Sequence, residues 1–257
     1  MPTGGVGEVL ARVETIAPVI RDHAAEFEQL GHLAPTVIEA ITNAELFGML
    51  VPVELGGFGL TIPEFVQVTE RVASFDASTS WTRTILADGP LFARFLAPEI
   101  FERLCSSPTD LIASSLNPIP ARAERVDGGY IFSGNATYRS GSAHAQWIIA
   151  AALVTENGEP VFSDTGFEIR AGVFPIEQAR SLDPWNVTGM RATEARTTSS
   201  TTSRSRTRGP SNRSFRAPRT ETRSARSRCG PSSDLRWPPA RWAPPETWWI
   251  DTSSSRR

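Results

Sequence analysis

"DLIASSLNPIPARAERVDGGYIFSGN", Asp110 to Asn135, is the stretch in which the chain changes from helix to strand patterning. "DLIASSL" is a short apolar run closed by Asn117-Pro118, and a proline cannot donate to a following ladder. "RAERV" and "YIFSG" flank Asp127-Gly128-Gly129, where glycine supplies the positive φ of a tight hairpin turn. Downstream, "QWIIAAALV" (Gln146 to Val154) reads as a buried strand ended by Glu156-Asn157-Gly158-Glu159. "FEIRAGVFPI" (Phe167 to Ile176) follows at strand length.

Upstream of Asp110 the period is helical. "PVIRDHAAEFEQLGHL" is expected to open a helix at Pro18, whose missing N–H costs nothing in a first turn, and Gly31 is expected to stop it. Pro35 repeats the device ahead of Val37, Ile38, Ile41 and Leu46. "FGMLVPVELGGFGL" (Phe47 to Leu60) is broken by Pro52 and by glycines 56, 57 and 59, so it cannot be helix. Thr61 with Pro63, the cluster Asp76 to Ser80, and Pro98 mark three further helix starts. Helices first and strands later predict an α+β fold, with a helical domain over residues 1–105.

Formal net charge over the 257 residues is −2, but from Arg196 onward there are 14 Arg against 4 acidic residues, and Lys is absent throughout. No run is long or apolar enough to read as a signal peptide or a membrane span, and Cys105 and Cys229 lack metal or disulfide spacing. A reducing cytoplasmic setting is the expectation. "EARTTSSTTSRSRTRG" (Glu194 to Gly209) opens an Arg/Ser/Thr/Pro-rich stretch without either period. One reading is a disordered basic tail over residues 195–257; a sharper one is a nucleic-acid-binding tail on a non-enzymatic helical domain. Trp237, Trp242, Trp248 and Trp249 argue against both, because solvated tails are poor in aromatics. The genetic code supplies a third reading. Arg without Lys indicates a GC-rich gene. Written as ACG and TCG codons and shifted by one phase, Thr197 to Ser203 becomes Asp-Asp-Val-Val-Asp-Asp-Val, a strand, with a glycine at the Glu194–Ala195 junction. A change of reading frame near Glu194 is therefore expected.

Four stretches together resemble the acyl-CoA dehydrogenase superfamily of flavoenzymes. "ELFGMLVPVELGGFGLTIPEF" is similar to its Pro-x-x-x-Gly-Gly-x-Gly-Leu turn, and "ASFDASTSWT" to the helix start that follows. "IASSLNPIPARAERVDGGYIFSGNATYRSGSAHAQWIIAAA" resembles the opening of its middle β-domain. "DPWNVTGMRAT" resembles its Gly-Met-Arg segment, whose usual Val-rich continuation the shifted frame regenerates. The resemblance implies a helical domain followed by an antiparallel β-barrel, here incomplete over residues 106–194. It also implies a C-terminal helical bundle that completes the flavin site and builds the homo-oligomer, so the chain is expected to be a truncated, impaired enzyme.

The resemblance implies FAD or FMN as cofactor, held by two segments. The first maps onto Ser114, Ser115, Leu116 and Asn117, and the second onto Tyr138, Arg139 and Ser140. Tyr138 would wall the ring and Ser140 would donate to a flavin edge atom. Taken alone, Ser114 and Ser115 are strand-end capping residues. "LNPIPARA" departs from the dehydrogenase pattern, and "YRSGSAHAQW" looks more like the reduced-flavin monooxygenases of the superfamily. Those take flavin from a separate reductase and hydroxylate aromatic or sulfur-containing substrates through a flavin hydroperoxide. His144 would then line the oxygen-reactive pocket, unless it is a strand-end imidazole bonded to a backbone carbonyl. Trp81 would face substrate, unless it is core. The expectation is a flavin-dependent oxidoreductase of this superfamily, with the oxygenase component of a two-component monooxygenase as the alternative; acyl-CoA dehydrogenation and monooxygenation both stay open, the motif departures leaning to the latter, and dehydrogenation needs a carboxylate base, which no residue here can be assigned to supply. No catalytic or metal-binding residue is assigned.

Overall fold

A computed structural model describes residues 5–94, 98–105, 111–115, 117, 121–163, 166–182, 185–207 and 248–250. Helix α1 runs Val6–Leu30, and Gly31 ends it in the left-handed region (φ 69°) with its N–H on the Phe27 carbonyl. Pro18 therefore lies inside the helix instead of opening it. An interior proline costs about 3 kcal/mol. Val9, Val13, Ile16, Ile20 and Phe27 are all buried along one stripe, and at roughly 1.5–3 kcal/mol per buried side chain that stripe outweighs the cost.

Helix α2 spans Pro35–Asn43 with Pro35 in its first turn. The glycine-rich connection that follows holds a single 3-10 turn, Val53–Leu55. Gly57 is required there, since a Cβ would sit 2.2 Å from the Val51 carbonyl oxygen. Helix α3 is Ile62–Ala73, and Glu64 Oε2 accepts from Thr61 N (2.8 Å) and Thr61 Oγ1 (2.7 Å) at its start. Helix α4 is Ala77–Ala93, capped by Asp76 Oδ1 accepting from Thr79 N at 2.6 Å. Helix α5 is Pro98–Cys105.

Eleven strands follow among the described residues: β1 Ile112–Ser115, β2 Ala121–Val126, β3 Gly129–Arg139, β4 Trp147–Glu156, β5 Glu159–Pro160, β6 Phe162–Ser163, β7 Gly166–Phe167, β8 Ile169–Pro175, β9 Ala179–Ser181, β10 Arg196–Thr207 and β11 Trp248–Ile250. The expected hairpin is β2–β3, with Ala123 opposite Phe132. The main sheet runs β1-β4-β2-β3-β10-β11, with β8 also on β4, and no pairing among the described residues closes it into a barrel. The fold is α+β, but the sheet is mixed instead of purely antiparallel: β4 is parallel to both β1 and β2, which pair with it one after the other along the edge opposite β8. The turn after β3 carries the chain back past the hairpin, so β4 enters in the direction of its two neighbours.

Twelve residues of the stretch whose composition reads as a tail form β10, antiparallel to β3. Ladder bonds are made by backbone groups, and residues 196–207 contain no proline to interrupt them. Residues 208–247 and 251–257 lie outside the described residues, so the disorder expected there has no structural counterpart to compare.

Three apolar clusters form among the described residues. The largest lies between the helices and includes Leu111, Ala113, Ala145 and Ala192 from the sheet side. A second joins Ala93 of α4 and Leu104 of α5 to Ile112, Ile149 and Val173 of the sheet. The third lies on the sheet, where Phe132 and Phe174 stack edge-on at 5.1 Å. Arg83 of α4 is wholly buried, its Nη2 donating to Thr69 Oγ1 (2.7 Å) and Thr84 Oγ1 (3.1 Å) and its guanidinium over the Phe65 ring. Burial pulls its pKa down to about 9.

Candidate flavin site

The second expected segment ends β3 and turns into β4. Tyr138 takes a left-handed conformation (φ 54°), which lifts its ring out of the strand's alternation to 72% exposure. Trp185 stands edge-on to that ring, 6.4 Å away at 88°. Arg139 alternates inward and is 2% exposed, with Nε and Nη2 lacking partners among the described residues. Desolvation draws its guanidinium down to about 10. Ser140 is buried, and its Oγ accepts the indole N–H of Trp81 at 2.9 Å. Gly141 N donates to the Thr193 carbonyl at 2.9 Å, so the "GMRAT" segment backs this turn.

The first segment ends β1. Ser114 is hydrogen-bonded to the Asp88 carboxyl, and burial pushes that carboxyl up to about 7 even though the Ser114 bond favours its charged form. Asp88 Oδ1 has no partner among the described residues. Ser115 pairs with Ala150 in the β1–β4 register. Leu116 lies outside the described residues. Asn117 is exposed, and its Nδ2 donates to Thr137 Oγ1 at 3.4 Å, next to Tyr138.

The structure thus brings Trp81 and Ser140 into direct contact and sets Asn117 beside the Tyr138 turn. His144 goes elsewhere: its ring meets His32 edge-on at 5.8 Å, at the end of α1, and it makes no hydrogen bond to Trp81 or Ser140. Burial, with His32 close by, holds His144 down at about 4, hence neutral at physiological pH. Asp88 was missed by sequence reading because a lone carboxylate inside the helical run "WTRTILADGPLFARFL" belongs to no site motif. The available signal was its spacing of seven from Trp81, two helical turns along one side of α4.

A flavin needs hydrogen-bond donors at its edge and a flat neighbour for its ring. An indole N–H can only donate, so Ser140 Oγ is its acceptor and the serine hydroxyl keeps its own hydrogen to donate. With the exposed Tyr138 ring beside it, this set fits the cofactor.

Among the described residues no three His, Cys, Asp or Glu side chains cluster to hold a metal, and no helix is long and apolar enough to cross a membrane.

Residues 11–98 match the family "Acyl-CoA dehydrogenase, N-terminal domain". The oxygenase subunit HsaA of a flavin-dependent monooxygenase from Mycobacterium tuberculosis is 30% identical over 193 residues, covering 74% of this chain and 46% of the relative. The HsaA crystal structure from that organism aligns with a TM-score of 0.71 at 27% identity, over 78% of this chain and 51% of that one. The oxygenase component of FADH(2)-dependent resorcinol hydroxylase from a Rhizobium species is 29% identical over 192 residues, 74% of this chain and 45% of the relative. XiaF from a Streptomyces species, solved with FADH2 and glycerol, aligns with a TM-score of 0.69 at 26% identity, over 76% of this chain and 48% of that one. The chain spans about half the length of these relatives. In its matched helical domain, the sheet behind it and the paired segments between them, the chain is similar to the acyl-CoA dehydrogenase superfamily and to its flavin-dependent monooxygenases.

Proposed function

We propose that the chain carries the flavin-facing part of the oxygenase component of a two-component monooxygenase acting on an aromatic small molecule. FAD or FMN would arrive reduced from a separate reductase. The contact between Trp81 and Ser140 carries this reading, since it leaves a serine O–H free to donate beside an open aromatic wall. The names of the relatives support the substrate class and the reductase. When bound, reduced flavin supplies the electrons with which one atom of dioxygen enters the substrate. The chain's own part is to hold it: Ser140 donates to a flavin edge atom, Tyr138 walls the ring, and the backbone at Ser114, Ser115 and Asn117 lines the other side. Trp81, 46% exposed beyond its N–H, presents its ring to substrate.

The test supplies the chain anaerobically with reduced FAD or FMN, then oxygen and a panel of phenols and indoles. Hydroxylated product above the free-flavin background supports the reading. Bleaching of oxidised flavin by an acyl-CoA, without hydroxylation, would replace it with dehydrogenation.

The same reading extends to residues 195–257 as out-of-frame sequence following domains at 1–105 and 106–194. Position 203, opposite the core residue Phe132 in the β3–β10 register, is Ser as written and Val in the shifted phase. Resequencing the gene across codon 194 decides, and a single intact frame through "RTTSSTTSRSR" rules the shift out.

A further inference from the structure

Three arginines are buried among the described residues, and two of them have partners. Arg83 has the hydroxyls of Thr69 and Thr84, and Arg170 Nη2 meets Glu168 Oε1 at 2.9 Å. Arg139, between Tyr138 and Ser140, has neither kind: its Nε and Nη2 are buried and unbonded among the described residues. A buried cation without a counter-charge is among the costliest arrangements in a fold. The β3–β10 ladder adds to the cost, since it sets Arg196 opposite Arg139 and like charges directly opposite oppose pairing.

The same ladder shows where a counter-charge belongs. Positions 198, 200 and 203 stand opposite Ala136, Gly134 and Phe132. Phe132 belongs to the sheet's core, and a period of two puts positions 134 and 136 on its face. Between the pairs 196–139 and 198–136, β3 advances three residues and β10 two. The extra residue is taken up at left-handed Tyr138, which returns Arg139 to the face of Phe132. Arg139, Phe132 and Gly134 accordingly line one cavity of about 20 Å³, room for about one water. Position 198 is two residues, roughly 7 Å, along β10 from the residue opposite Arg139, within the length of an arginine side chain. The shifted phase reads positions 198, 200 and 203 as Asp, Val and Val. The acid falls beside Arg139, and apolar residues fall on the two positions beyond it.

From this arrangement, and resting on the flavin and out-of-frame readings above, we infer that Arg139 is the seat of a carboxylate from position 198 of β10, an ion pair that clamps the Tyr138–Ser140 segment of the flavin site to the sheet. The chain as written carries the cation and lacks the acid at that position. Arg139 is a positioning residue: it fixes the strand end from which Tyr138 and Ser140 are presented. Threonine and aspartate differ by a single side-chain heavy atom, so a cavity of this size accommodates the exchange.

The test is urea unfolding of the full chain, of T198D, T198N and R139M, and of the R139M/T198D double variant, with anaerobic titration of reduced FAD and reduced FMN alongside. T198D should raise the folding equilibrium constant at least about tenfold, as one charge-assisted hydrogen bond does, while T198N stays within about threefold of the wild type. R139M should change sign with its partner. It should stabilise the chain as written, where it removes an unpaired charge, and destabilise T198D at least about tenfold, where it strands a carboxylate. T198D, unlike T198N, should also tighten flavin binding about threefold or more, because the segment is fixed before the cofactor arrives. Destabilisation by T198D with Arg139 present, or an effect of R139M that is the same in both backgrounds, overturns the pair. Coupled unfolding with unchanged flavin affinity overturns its positioning role. A chain that shows the coupling but binds neither flavin, with or without T198D, overturns the flavin reading and the positioning role with it. Coupling in a gene that resequencing shows to run in one frame overturns the out-of-frame origin of the acid and supports the pair.

Discussion

Replacing Asp88 by asparagine should stabilise the chain at alkaline pH and leave it nearly unchanged in acid. The folded carboxyl is held at about 7 against an ordinary 3.8, chiefly by burial. A group raised in the fold contributes stability that is fully present below its unfolded pKa and is lost as pH rises through its folded one. The loss therefore falls between pH 3.8 and about 7. At about 1.4 kcal/mol per pH unit its ceiling is about 4 kcal/mol, and partial solvent access reduces that to roughly 2. Asparagine carries no such titration and can keep the bond to Ser114. The difference in unfolding free energy between D88N and wild type should thus grow by about 2–4 kcal/mol from about pH 4 to about pH 8. Urea unfolding followed by tryptophan fluorescence measures it, and other titrating groups cancel in the difference because both proteins carry them. A difference that stays constant across this range would mean that Asp88 is solvated and ionised throughout, and the tight docking of α4 on β1 would be refuted.

His144 should act with the opposite sign. Its fold-lowered value of about 4 means stability is lost as pH falls from 6.5 through 4, so the wild-type profile is flattened between the two groups; H144Q should resist acid unfolding better than wild type by about 1–3 kcal/mol near pH 4 in the same urea assay. Gly89→Ala should destabilise by about 1–3 kcal/mol, because its Cβ would meet Ile112 at 2.6 Å with both backbones committed. Differential scanning calorimetry detects this as a lowered Tm. Arg83→Met should be neutral or stabilising, by up to roughly 2 kcal/mol, since it replaces a fully buried cation that has hydroxyl partners and no carboxylate partner among the described residues; Arg83→Ala should cost about 3 kcal/mol through the cavity left behind.

What could be read from the sequence was local chemistry. Thr61 with Glu64, Asp76, Pro35 and Gly31 each act within one helical turn, and each sits where its residue type demands. Pro18 failed that rule because a proline's preference is a prior of about 3 kcal/mol, and the apolar stripe from Val9 to Phe27 is larger. Strand positions in β2, β3, β4 and β8 were legible from runs and turns, but their partners were not. Parallel pairing of β4 with both β1 and β2 depends on where the chain returns after Arg139, and no residue in β4 encodes that.

The candidate site divides along the same line. Ser114, Tyr138, Ser140 and Trp81 could be named one by one, since each residue type suits a flavin or its substrate. Their relation could not, because 59 positions separate Trp81 from Ser140 and only the packed helix joins them. Asp88 shows the limit most clearly. It stands in a helical run next to Gly89, with no site motif around it, and Pro90 is a second proline held inside a helix. Gly89, which costs a helix roughly 1 kcal/mol, is there because Ile112 leaves no room for a side chain. The residues that weaken α4 as an isolated helix are thus the ones that let it approach β1 closely enough for Asp88 to reach Ser114. In this chain, poor local propensity marks the place where the helix meets the sheet.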